Sequence, residues 1–146
     1  MVMPRSLAGL VSFAALAVAC GPSAPANELR YAAAMFGCGP VDQPVTIIAL
    51  AHEPIRSGQL PGDAVRITIQ QPVSGLAGRT WQIGSQAGAF YLVGGDVQVS
   101  AIAGSVTVTQ VDTTNRVDGR VNLQFPSSLI AMEFSAPWID SGLRCG

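Results

Sequence analysis

The sequence predicts an all-β fold, an antiparallel β-sandwich or small β-barrel of about eight strands, and three observations carry that expectation. First, apolar and polar residues alternate along 104–134: Val106 and Val108 with Thr107 and Thr109, then Val121, Leu123 and Phe125 with Arg120, Asn122 and Gln124, then Ile130, Met132 and Phe134 with Ala131 and Glu133. A two-residue period places one face in a core and the other in water. Second, clusters of Gly, Pro, Asn, Asp and Ser separate the apolar runs, and these residues supply turn conformations that β-branched residues resist. Third, no long helical pattern interrupts the strands. A three-strand meander cannot bury its apolar face alone, so the upstream strands must form a second layer.

Taken in chain order, Asn27 to Phe36, NELRYAAAMF, reads as a short helix, with Asn27 as N-cap, Ala and Leu favouring helix and Gly37 as a stop. The alternative is an extended segment that feeds the first strand. Val45 to Ala51, VTIIALA, is apolar at both alternating sets of positions, which implies a strand covered on both faces. A loop with two Pro and two Gly follows from His52 to Gly62. Val65, Ile67 and Ile69 point inward from the next strand, with Arg66, Thr68 and Gln70 outward. Three shorter strands are expected over 79–83, 89–93 and 97–102, the last two joined by a hairpin at Gly94-Gly95 with Val93 and Val97 at its flanks. The meander then closes the chain, with a short C-terminal strand possible after it.

The first 19 residues form a different region. Arg5 precedes an apolar run from Leu7 to Ala19, roughly 13 residues, short of the roughly 20 that span a hydrocarbon core. A secretory leader fits this outline. Leu16-Ala17-Val18-Ala19-Cys20 resembles the lipobox of bacterial lipoproteins, with Ala17 where that pattern favours Leu. The resemblance implies removal of residues 1–19, acylation of Cys20 and anchoring to a membrane through the acyl groups. A secreted chain without lipid is the alternative. Residues 20–27, rich in Pro, Ser and Ala, then read as a tether with little to bury, and residues 28–146 as a single β-domain. Gly21 lacks the acidic residue associated with inner-membrane retention, so the resemblance points to the bacterial cell envelope at the outer membrane, facing the periplasm or the cell surface.

Three cysteines leave an odd thiol in an exported protein. If Cys20 carries lipid, Cys38 and Cys145 remain as a disulfide pair in an oxidising compartment. The loop so closed would contribute on the order of 4 to 5 kcal/mol in the chain-entropy treatment.

Composition narrows the partners. The chain carries 8 basic and 9 acidic residues, a net charge of −1. All the basic residues are Arg, so a lysine Schiff base and a P-loop lysine are excluded. No basic field exists for nucleic acid. The charged fraction of 12% is low for a soluble domain, and outward Thr, Gln, Ser and Asn provide the polar surface instead.

Catalytic and metal chemistry find little support. His52-Glu53-Pro54-Ile55-Arg56 begins like a zinc HExxH motif but has Arg56 in place of the second His, and Pro54 breaks the required helix. Asp112, Asn115 and Asp118 lack the order of a calcium loop and read as turn residues. No catalytic residue, metal ligand or cofactor is assigned, and the reading leans away from an enzyme. Trp81, Phe90, Tyr91 and Trp138 are candidate ligand contacts if a pocket forms, and core residues otherwise. The functional expectation is therefore a binding or structural envelope module. A β-barrel carrier of a small apolar ligand and an envelope hydrolase with an acidic site are the alternatives. The run Gly104-Ser105-Val106-Thr107-Val108-Thr109, the Val117 to Val121 turn and strand, and Glu133 to Pro137 followed by Cys145 resemble the closing meander of small secreted β-domains found among bacterial lipoproteins. That resemblance implies a fold and a compartment, and no activity.

Overall fold

The computed structural model describes residues 29–57 and 59–145. The leader, Cys20 and the rest of the tether all lie outside the described residues. Ten strands form two sheets. The first has six strands, β1 (Tyr31–Cys38), β2 (Pro44–Ala51), β3 (Ala64–Ile69), β5 (Ala87–Val93), β6 (Val97–Ser100) and β10 (Trp138–Ile139), in the order β10-β1-β2-β3-β5-β6. The second has four, β4 (Arg79–Gln82), β7 (Ala103–Val111), β8 (Val117–Phe125) and β9 (Ser128–Ala136), in the order β4-β7-β8-β9. The sheets stack as a sandwich and do not close into a barrel. Every named pairing is antiparallel except β1 with β10, which is parallel.

The chain passes between the sheets four times, from β3 to β4, β4 to β5, β6 to β7 and β9 to β10. Where β6 runs on into β7, Ala101 N–H donates to the Ala89 carbonyl in one sheet and Ile102 N–H to the Gln124 carbonyl in the other, at 2.9 and 2.8 Å. Where β9 runs on into β10, the Pro137 carbonyl accepts from Ala34 N–H at 2.9 Å.

The helix expected over 27–36 is not formed where it can be seen: Tyr31 to Cys38 is a strand, paired with β2 from Tyr31–Ala51 to Cys38–Pro44. Helix propensity differs by less than about 1 kcal/mol per residue among ordinary side chains, and tertiary burial overrides it here. Ala33 and Ala34 are 1% and 0% exposed, on opposite faces of the sheet. Gly37, expected as a helix stop, sits inside the strand. A Cβ there would lie 2.6 Å from Ile47 Cδ1, so the glycine makes room for that side chain.

The core lies between the sheets. Ile48 and Leu50 of β2, Val65, Ile67 and Ile69 of β3, Val106 and Val108 of β7 and Leu123 of β8 are all 0% exposed within it. The alternation read from residues 104–134 is the inside-outside pattern of the four-stranded sheet. Its β8 buries Val117, Gly119, Val121, Leu123 and Phe125 and exposes Arg120, Asn122 and Gln124. Gly119 fits only without a side chain, because a Cβ would stand 2.2 Å from the Thr107 carbonyl oxygen and 2.8 Å from the Phe134 ring.

β2 is covered on both faces, as its double apolar pattern predicts. Its outward residues Val45, Ile47 and Ala49 join Met35 of β1 in a second buried cluster. The cover comes from Ile55 and Leu60 of the loop that follows β2 and from Ile139 of β10. Ser57 Oγ donates to the Asp140 carbonyl and joins this loop to the C-terminal segment. That segment is pinned in turn by a disulfide between Cys38 and Cys145, with Cα atoms 5.5 Å apart and a sequence separation of 107.

Candidate functional site

The outer face of the four-stranded sheet is the opposite of the covered one. Cross-strand register lines up Thr80 of β4, Thr107 of β7, Arg120 of β8 and Glu133 of β9 as one row across the whole sheet. The Thr80 and Thr107 hydroxyls are 2.9 Å apart and share a hydrogen bond. Beside this row runs a second, Gln82, Ser105, Asn122 and Ala131. Ala131 is the smallest side chain in it. All of these residues except Gln82 line an open cleft of about 540 Å³. Hydroxyl, amide, guanidinium and carboxylate groups there give donors and acceptors of both signs on a flat ladder, suited to a polar or polyhydroxylated surface rather than to an apolar ligand. Toward the far end of β9, Arg116 Nη1 donates to Ser135 Oγ at 3.2 Å, and Thr109 Oγ1 donates to the Asp118 carbonyl at 3.0 Å.

The opposition of Arg120 and Glu133 follows from the two-residue turn Pro126-Ser127 between β8 and β9, and that turn was visible in the sequence. A cross-strand pair of opposite charge contributes modestly at a solvated face. The register sets these two charges opposite each other in the cleft.

The four candidate aromatics do not meet in one pocket. Trp81 is 6% exposed and belongs to the inter-sheet core, and Trp138 and Tyr91 pack against that core. The Tyr91 ring meets Phe125 edge to face at 6.2 Å. Phe90, the next residue along β5, lies on the opposite face of its sheet, level with Arg66. None of the four lines the cleft described above.

His52 and Glu53 stand with Asp63 beside a small cleft of about 190 Å³ where the covering loop begins and ends. Asp63 Oδ1 is used to accept from Gly94 N–H at 3.1 Å, which fixes the β5–β6 turn. Gly94 and Gly95 both have positive φ, 62° and 89°, as that turn requires. Asp112 and Asn115 perform turn chemistry. Asp112 Oδ1 accepts from Thr114 N–H, Thr114 Oγ1 and Arg116 N–H at 2.8, 2.7 and 2.9 Å, and Asn115 takes φ 60°. The Thr114 hydroxyl, then the Arg116 backbone N–H, hold the Asp112 carboxyl below the ordinary aspartate range. Asp118 leaves that turn and sits in β8. Among the described residues no three His, Cys, Asp or Glu side chains gather as a metal site.

Comparison of the chain with protein-family models, with curated proteins and with solved structures found no match.

Proposed function

We propose that this chain is an exported, lipid-anchored module of the bacterial cell envelope, tethered through Cys20 and presenting the open face of its four-stranded sheet to a polar envelope partner. The observation that carries the reading is the Cys38–Cys145 disulfide. It belongs to an oxidising compartment, and it consumes two of the three cysteines, leaving Cys20 in a lipobox-like leader as the odd one. Two or more acyl chains give stable anchoring where one is marginal. No polybasic stretch adds to it, since the eight Arg residues are scattered along the chain. The tether then leaves the sandwich free to orient its polar cleft, with no cofactor required.

The test is the intact mass of the protein recovered from a bacterial host, with Cys20→Ala alongside, together with the cell fraction that each occupies. The reading expects loss of residues 1–19 and a lipid mass increment that Cys20→Ala lacks, with the unsubstituted chain in the membrane fraction. A mature chain in the soluble fraction without any increment would overturn it.

A further inference from the structure

Each sheet ends in two edge strands, and they are not equally protected. β10 has two residues, and β4 and β6 have four each, whereas β9 runs for nine, from Ser128 to Ala136. Short strands, Lys, Pro and bulges are the usual means of blunting an edge. β9 has none of them. Its register with β8 is unbroken from Ala136 to Ser128, and the irregularity of this sheet lies between β7 and β8 at Val108 and Gln110.

The hairpin turn shows which backbone groups face outward. Phe125 and Ser128 flank the two-residue turn Pro126-Ser127, so they form a hydrogen-bonded pair, and such pairs recur at every second residue. Gln124 agrees, since its carbonyl accepts from Ile102 N–H, on the side away from β9. Leu129, Ala131, Glu133 and Ser135 therefore direct their N–H and C=O groups to the free side of β9. None of the four has a backbone partner there among the described residues. The free stretch ends at Pro137, whose carbonyl is taken by Ala34 N–H.

A second β9, laid antiparallel across a two-fold axis at Met132, satisfies all four residues. Ala131 then faces the partner's Glu133, and Leu129 faces the partner's Ser135, each twice. On the core side every facing pair is apolar. Met132 meets its own copy on the axis, and Ile130 faces the partner's Phe134 on either side of it. Met132 is half-buried at the margin of the core, and Leu129 is 58% exposed. Charge and pairing fix the register. An axis at Glu133 would set two carboxylates directly opposite each other, which is destabilising. An axis at Ala131 would leave Ser135 facing the partner's Ser127, a turn residue. With the axis at Met132, each Glu133 keeps Arg120 of its own β8 as its facing charge.

We propose that β9 is a homodimer interface, at which two copies of this chain pair antiparallel through Leu129, Ala131, Glu133 and Ser135 with the two-fold axis at Met132. The pairing joins two four-stranded sheets into one of eight strands and sets the two polar clefts, each lined by Ala131 and Glu133, side by side. It does not depend on the acyl anchor.

The experiment is sedimentation velocity of the disulfide-intact mature chain from micromolar to millimolar concentration, with Cys20→Ser to remove the odd thiol, together with amide hydrogen exchange by NMR. The proposal expects a concentration-dependent dimer, with exchange at Leu129, Ala131, Glu133 and Ser135 slowing as it forms. Ala131→Lys places a cation opposite the partner's Glu133 at two points and should tighten the dimer about threefold or more, and Ala131→Glu should weaken it by a similar factor. Single-cysteine variants read the axis. Met132→Cys should oxidise to a covalent dimer, because facing residues of a non-hydrogen-bonded pair stand roughly 4.5 Å apart at Cα, within disulfide range. Ala131→Cys and Glu133→Cys should not. A monomer at every concentration, protection at β4 or β6 in place of β9, the same response to both charged Ala131 variants, or cross-linking through position 131 or 133 in preference to 132 would each overturn the proposal.

Discussion

Ile47 on β2 and Asn122 on β8 both point away from the core between the sheets, yet Ile47 is 5% exposed and Asn122 lies open to solvent. The difference is in what lies over them. Above Ile47 the loop after β2 and the C-terminal segment form a lid, held by Ser57 on Asp140 and by the Cys38–Cys145 bond. Above Asn122 nothing in the described chain is packed, and the neighbouring residues are Ser105, Arg120 and Ala131. The six-stranded sheet is therefore buried on both faces at β1 and β2, and the four-stranded sheet on one face only. A strand with apolar residues at every position needs such a lid, whereas a strand with strict alternation does not. Stability should therefore concentrate on the covered sheet, and recognition on the open one.

The largest expected break in this contrast is removal of the disulfide. Cys38→Ser with Cys145→Ser opens a loop of 107 residues and should cost about 4 to 5 kcal/mol in the chain-entropy treatment, read as a lower urea midpoint. It should also raise hydrogen exchange in residues 139–145 and in the loop after β2, while leaving β7 and β8 the least affected. Uniform loosening of both sheets would dissolve the distinction. Next in size, Gly119→Ala probes the inner side of the open sheet. The added methyl meets the Thr107 carbonyl and the Phe134 ring, and crowding of this kind costs on the order of 1 to 3 kcal/mol. Unchanged thermal unfolding in this variant would mean that β7 and β8 do not approach as closely as described.

The smallest effect is electrostatic and belongs to the turn between β7 and β8. Asp112 has its carboxyl held below the ordinary aspartate range by the Thr114 hydroxyl and then the Arg116 N–H. A lowered folded-state pKa adds stability that is fully present above about pH 4, the ordinary aspartate value, and is lost as pH falls through the lowered one. The stability advantage over Asp112→Ala should accordingly fade with acid, measured as the gap between their urea midpoints across that range. A gap that widens on acidification would contradict the assignment. The carboxylate is fully exposed, so the effect concerns a local turn and does not spread to either sheet.

Much of this architecture can be read in the residues. The meander, the Gly94-Gly95 turn, the inward set of β3 and the double cover of β2 follow from period, turn chemistry and apolar runs. Two features resisted. The strand β1 is written in Ala, Met and Tyr, a composition that favours helix locally, and only pairing with β2 and burial on both sides turn it into a strand. The lid was hidden because Ile55 and Leu60 stand in a Pro- and Gly-rich loop without periodicity. The same reason concealed a small cleft of about 180 Å³ lined by Met35, Ile47, Leu60, Arg66 and Leu143, which only the register of three strands and the disulfide bring together. The open polar row was closer to legible, since the short turn at Pro126-Ser127 sets Arg120 opposite Glu133. The aromatics could be read either way. Large apolar rings are as useful to a core as to a ligand, and here Trp81 went to the core.

The central claim, that β2 is buried on both faces and β8 on one, is tested most directly by urea unfolding of Ile47→Ala, Ile48→Ala and Asn122→Ala at equal protein concentration with the disulfide intact. Ile47 and Ile48 are adjacent on β2 and point to opposite faces, and both are buried, at 5% and 0% exposure. The account predicts that each isoleucine truncation costs about 2 to 5 kcal/mol, with Ile47→Ala toward the lower end because the lid can settle. Asn122→Ala should stay within about 0.5 kcal/mol. An Ile47→Ala variant as stable as Asn122→Ala would show that the lid does not close over the outer face of β2, and the contrast between the two sheets would fail.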